Sequence, residues 1–178
     1  MSGRTTKPRQ NVFFREDYRG TAAVEFAITA PIAILILINV YDISSYLSQR
    51  MTVQSAAQAA VQAIWRTCDT AHVPATTFCS ALNSVATTAI QSTGFGNKIT
   101  LAGTTEGYYC INSSNALQYV SDVSNKPFDC TAAGTSALKP GDYIQVQAQF
   151  TYTPLFAASY AANLFTTPIT ASAWMRLQ

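Results

Sequence analysis

The spacing of hydrophobic positions changes character twice along the chain. Residues 1–20 show no apolar period and read as a flexible leader. From Thr21 to Tyr41 the sequence TAAVEFAITAPIAILILINVY is apolar on every face. That is about the 20 residues an α-helix needs to cross a hydrocarbon core. Its IAILILI centre is too long and too apolar for a half-buried strand. Pro31 interrupts the run and predicts a kink, which membrane helices tolerate. Beyond Tyr41 the pattern turns amphipathic. Val53, Ala57, Val61 and Ile64 recur at helical spacing on one stripe, and Gln54, Gln58 and Gln62 form another. One helix over about 21–66 follows, hydrophobic all round in its first half and one-sided in its second.

After Cys68 the period changes again. PATTFCSALNSVATTAIQSTG opens with Pro74 and closes at Gly94, the asymmetry of a helix start and stop, with Phe78, Leu82, Val85 and Ile90 as its apolar face. Short strand-like pieces follow: KITLAG, GYYCIN, ALQYVSDV, YIQVQAQFTYT and ITASAWMRL. In the fourth, Ile144, Val146, Ala148 and Phe150 alternate with Gln145, Gln147, Gln149 and Thr151, a two-residue period that marks a half-buried strand. KPGD at 139–142 reads as the turn before it. The expected fold class is α+β, a long N-terminal helix packed on a small antiparallel sheet. Three segments follow: a leader at 1–20, the long helix at 21–66 with its membrane part at about 21–41, and a strand-rich domain at 67–178.

Charge gives this arrangement a direction. Only 11% of residues are charged. Arg4, Lys7, Arg9, Arg15 and Arg19 outweigh Glu16 and Asp17 ahead of the apolar run, and no basic residue follows it until Arg50. The positive-inside rule therefore keeps the N-terminus cytoplasmic and exports the C-terminal part. The net charge of +2 argues against a nucleic-acid partner. All four cysteines, Cys68, Cys79, Cys110 and Cys130, lie on the exported side, where disulfides form. Three pairings are possible; Cys68–Cys79 with Cys110–Cys130 is preferred because short loops close most easily. Four free buried thiols are the alternative.

Catalytic chemistry finds little footing. His72 is the only histidine and sits in a loop-like stretch, no CxxC pair suggests zinc, and no Gly-rich phosphate loop occurs. Asp122, Asp129 and Asp142 stand beside turn-forming residues and read as solvated turn carboxylates. Tyr108, Tyr109 and Trp174 read as core or interface aromatics in preference to a ligand-stacking platform. No enzyme activity, cofactor or metal is expected. Glu25 is the exception to this plainness: a carboxylate inside a membrane-bound run is costly unless paired, and so suggests function. A place one turn into the helix, where an acid favours the N-terminal dipole, is the simpler reading.

Glu25 also belongs to a larger pattern. A basic leader ends in Arg19-Gly20, the apolar run begins at Thr21, Glu25-Phe26 follows within AVEFA, Pro31 comes shortly after, and Asp42 lies just past the run. This segment resembles the TadE/TadG-like minor pilins, or pseudopilins, of the tight-adherence (Flp-type) pilus, a branch of the type IV pilus superfamily. The resemblance covers about residues 18–65. It implies that a prepilin peptidase cuts between Gly20 and Thr21, and that Glu25, with Phe26, sets register by meeting the new N-terminal amine of a neighbouring subunit. It also implies a single-pass protein of the bacterial inner membrane with a periplasmic domain, entering a pilus with other pilin subunits and platform proteins as partners. The chain's length favours a minor subunit. An uncleaved membrane-tethered binding or adaptor module is the alternative.

Overall fold

A computed structural model describes residues 18–68, 73–156 and 164–178, with the side chains of 18–21 outside the description. Most of the leader and His72 therefore lie outside the described residues. The first element, α1, spans Tyr18–Thr67 and its 50 residues run unbroken through Pro31. It starts three residues before the expected boundary. Its N-terminal stretch reaches a mean hydropathy of 2.2 and is long and apolar enough to cross a membrane. By its contacts the chain falls into two compact units, one up to Ile38 and one from Asn39. The amphipathic half of α1 therefore belongs to the same unit as the sheet.

That second unit is a helix-on-sheet layer. The strands β1 (Ile99–Ile111), β2 (Leu117–Asp122), β3 (Gly141–Phe150) and β4 (Ile169–Arg176) form an antiparallel sheet in the order β2-β1-β3-β4. The stripe read from the sequence packs against it: Val53, Ala57, Val61 and Ile64 are buried, joined by Ala56 and Ala60. Three methyl-sized side chains, at 56, 57 and 60, thus belong to this buried face. Ile144, Val146, Ala148 and Phe150 meet them from β3, and Ile169 and Ala173 from β4. Gln54, Gln58 and Gln62 are exposed, as the pattern requires.

Three expectations are corrected. The helix read at 74–94 is two, α2 (Ala75–Phe78) and α3 (Leu82–Gln91), separated at Cys79, which is bonded to Cys68. The buried face of α3 is Leu82, Ala86 and Ile90; Phe78 is 63% exposed and Val85 only half-buried. KITLAG and GYYCIN belong to one strand, β1, with a register shift between Leu101 and Gly103. The Thr-rich link between them is itself extended, because β-branched residues suit a pleated surface. The third concerns Asp142, which opens β3 and is buried instead of solvated.

Candidate processing and assembly site

Gly20 and Thr21 lie in the first turn of α1, which carries no acidic residue. Glu25 is exposed on the helix surface about two turns from its start, and Phe26 beside it is 72% exposed. The dipole effect fades within the first turn, so in this helix Glu25 stands beyond the position where an acid is favoured for that reason alone. Thr29 donates to the Glu25 backbone carbonyl at 2.9 Å and does not engage the carboxylate. Gly20, Glu25, Phe26 and Pro31 are thus strung along one helix and not gathered into a pocket.

The four cysteines pair as the sequence suggests, Cys68–Cys79 and Cys110–Cys130, with Cα–Cα separations of 5.5 and 5.7 Å. No free cysteine occurs. Asp42, just past the apolar run, is fully buried, and Tyr152 donates to its backbone carbonyl at 3.3 Å. Burial, then the Asp42 charge, push the Tyr152 phenol above its ordinary value. Around it, Tyr46 stacks on Phe165 at 4.3 Å, and Tyr152 meets Tyr46 edge-on at 5.2 Å. These three rings clamp this part of α1 to the two ends of the β3–β4 connection. No hydrophobic period in the sequence announced them, because they come from three distant segments.

A second feature escaped the sequence. Asp142 is 2% exposed and lies opposite Tyr108 in the β1–β3 register, next to Glu106 on the same face. Glu106 accepts from the amides of Ala75 and Thr76 at 2.7 and 2.6 Å and from the Thr76 hydroxyl at 2.6 Å, so it holds the first turn of α2. The Asp142 oxygens are buried with no donor. Burial and the neighbouring Glu106 carboxylate raise its pKa to about 6, opposed by Lys126. Protonated, Asp142 gains the one donor its surroundings call for, an O–H directed to Glu106. Between the ordinary carboxylate range and pH 6 the native chain keeps a proton that the unfolded chain releases. Stability therefore falls as pH rises through that window. Asp142→Asn supplies an amide N–H at every pH. Its melting temperature should exceed the parent's at pH 8, by about 1 kcal/mol in stability after allowing for solvent screening, and match it near pH 4. A parent melting temperature that is flat between pH 4 and 7 contradicts this.

Among the described residues no group of three or more His, Cys, Asp or Glu side chains could hold a metal ion. The protein is thus of a recognisable class: one helix able to span a membrane, continued as the spine of a small disulfide-bonded α+β domain. Residues 20–62, about a quarter of the chain, match the family model for TadE-like proteins. That relation associates it with the Tad pilus system. No curated protein and no solved structure was found to match the chain.

Proposed function

We propose that this chain is a minor pilin or pseudopilin of a Tad pilus, cut by a prepilin peptidase between Gly20 and Thr21 and assembled without any catalysis of its own. The observation that carries the reading is the TadE-like match ending within the amphipathic half of α1, over a helix that pairs a spanning stretch with Glu25. Two disulfides support an exported domain, since such bonds persist in oxidising compartments. The apolar part holds the subunit in the inner membrane, N-terminus inward, until contacts with other pilin subunits replace those with lipid. Platform proteins receive it there.

Cleavage makes a new α-amino group four residues before Glu25. In lipid, the carboxylate is costly alone and less so when paired with such an amine on a neighbouring subunit. Because Gly20 lies within helix, the peptidase must unwind the first turn to reach its bond. Glycine suits this, having the weakest hold on helical geometry among residues other than proline.

Intact mass and N-terminal sequencing of the membrane-extracted chain, produced with and without a cognate prepilin peptidase, test the proposal. A chain beginning at Thr21 only when the peptidase is present is the expected result. Full-length protein in both preparations refutes processing and leaves a membrane-tethered binding module.

A further inference from the structure

The sheet has a second face, turned away from α1. Tyr109 stands at its centre, with ring centroids 5.4 Å from Tyr119, 5.8 Å from Tyr143 and 5.1 Å from Trp174, all edge-to-face. Trp174 is 43% and Tyr119 53% exposed. Tyr108, next in sequence, points to the other face and is buried. Two glycines bring its flanking side chains close to the strands. A Cβ on Gly107 would stand 2.8 Å from Cε2 of Tyr119, and one on Gly141 would stand 2.8 Å from Cε2 of Tyr143 and 2.9 Å from Nε of Arg176. Bare backbone at these two positions therefore lets two rings and a guanidinium lie down on the strands.

Beside the cluster is a cavity of about 130 Å³, walled by Tyr109, Tyr143, Ile111, Leu117, Lys139 and Arg176. Its described lining holds two cations and no carboxylate side chain. Arg176 spends one donor on the backbone oxygen of Gln178 at 2.7 Å, out of the five a guanidinium carries. Asp122, in the Gly107 row at the β2 edge, has its Oδ1 engaged by the Ser124 hydroxyl at 2.6 Å. Away from the cavity the face continues in rows of neutral donors and acceptors: Thr105, Gln145 and Trp174, then Gln147 and Ser172, then Thr100, Gln149 and Thr170. No aliphatic side chain interrupts these rows.

We propose that this face binds an acidic polysaccharide, with the exposed rings stacking on the C–H faces of the sugars and Lys139 and Arg176 holding a uronate carboxylate in the cavity. A pyranose ring presents an apolar face that suits an aromatic platform, and its hydroxyls suit amides and hydroxyls in rows. A carboxylate meets a guanidinium fork with paired hydrogen bonds. The complementarity of charge and the rows of neutral donors and acceptors, with aliphatic side chains confined to the cavity wall at Ile111, Leu117 and Leu138, favour this ligand over a protein surface, whose contact core is apolar. The inference is independent of pilin processing.

The test follows Trp174 emission of the full chain carrying Trp65→Phe, in detergent, while polygalacturonate, neutral dextran or polyglutamate is added. Polygalacturonate should change the emission and saturate, and dextran should bind at least tenfold more weakly. Lys139→Gln, on an exposed loop where the fold is not at stake, and Trp174→Ala, followed by calorimetry, should each weaken polygalacturonate about tenfold. Both variants keep the basic leader, so attraction by the leader cannot account for that loss. Polyglutamate bound as tightly reassigns the face to an acidic peptide and overturns the proposal. So do equal affinity for dextran, no binding of polygalacturonate, or unchanged affinity in both variants.

Discussion

Glu25→Ala should leave the chain in the membrane and remove it from assembled pili. Deleting a carboxylate from an apolar helix eases insertion, since an acidic side chain at membrane depth costs about 2.5 kcal/mol or more. Assembly responds in the opposite sense. On the proposed pairing, the variant leaves each neighbouring α-amino group buried without its partner, a loss of about 3 kcal/mol per contact. That corresponds to more than a hundredfold in the association constant of each subunit step. Glu25→Gln keeps the size and hydrogen bonding of the side chain and should fail nearly as badly, because the charge is what the amine requires. The measurement compares membrane-extracted and sheared pilus fractions by immunoblot, with N-terminal sequencing to confirm that processing at Thr21 is intact. Parent-level incorporation of Glu25→Ala would remove the register role and return Glu25 to an incidental surface position, like the exposed Val24 and Phe26 beside it.

The residues that were legible in the sequence share a property: their partners are set by local periodicity. Val53, Ala57, Val61 and Ile64 declare a buried helix face because 3.6-residue spacing has one geometric outcome, and Ile144 to Phe150 declare a strand face because the period is two. The cysteine pairs followed from loop closure. What stayed hidden depends on distant segments. KPGD carries the chemistry of a turn, yet Gly141 and Asp142 are already strand, because Tyr109 and Tyr108 of β1 pair with them. Ala- and Thr-rich sequence continues smoothly through Cys79, and the helix breaks there in a segment fixed from outside by the bond to Cys68 and by Glu106 on α2. Tyr108 and Tyr109 look equivalent as letters, but adjacent strand residues face opposite ways, so one joins the buried face and the other the exposed platform. Of the candidate site, the positions of Gly20, Glu25 and Pro31 on one helix were readable. The clamp of Tyr46, Tyr152 and Phe165 was not, since it joins α1 to residues more than 100 positions away in sequence.

Removing Cys110–Cys130 should markedly destabilise the strand-rich domain. This pair sits in its own small cluster with Ala133, apart from the main core. The segment between β2 and β3 offers little else to bury: Phe128 and Leu138 are both exposed. Its remaining ties are polar, with the Cys130 amide donating to Leu138 at 3.0 Å and the Thr135 hydroxyl to the Ile111 carbonyl at 2.7 Å. A crosslink across a sequence separation of 20 restricts the unfolded chain by about 3 kcal/mol. That is a large part of the roughly 5–15 kcal/mol that keeps a domain folded. Cys110→Ser with Cys130→Ser should therefore lower the melting temperature by about 10 °C. The loop at 123–140 should open to protease well below that temperature. Cys68–Cys79 closes a separation of 11 and is worth slightly less by the same reasoning, but its loss frees the end of α1 from α2 and reaches the main core directly. Cleavage at Gly20 should proceed normally in either variant, because that bond lies in the other compact unit. Thermal unfolding by circular dichroism and limited proteolysis decide the matter. A shift below about 2 °C in the Cys110/Cys130 variant would mean that the Cys130–Thr135 bridge and its neighbouring hydrogen bonds hold the loop without the crosslink.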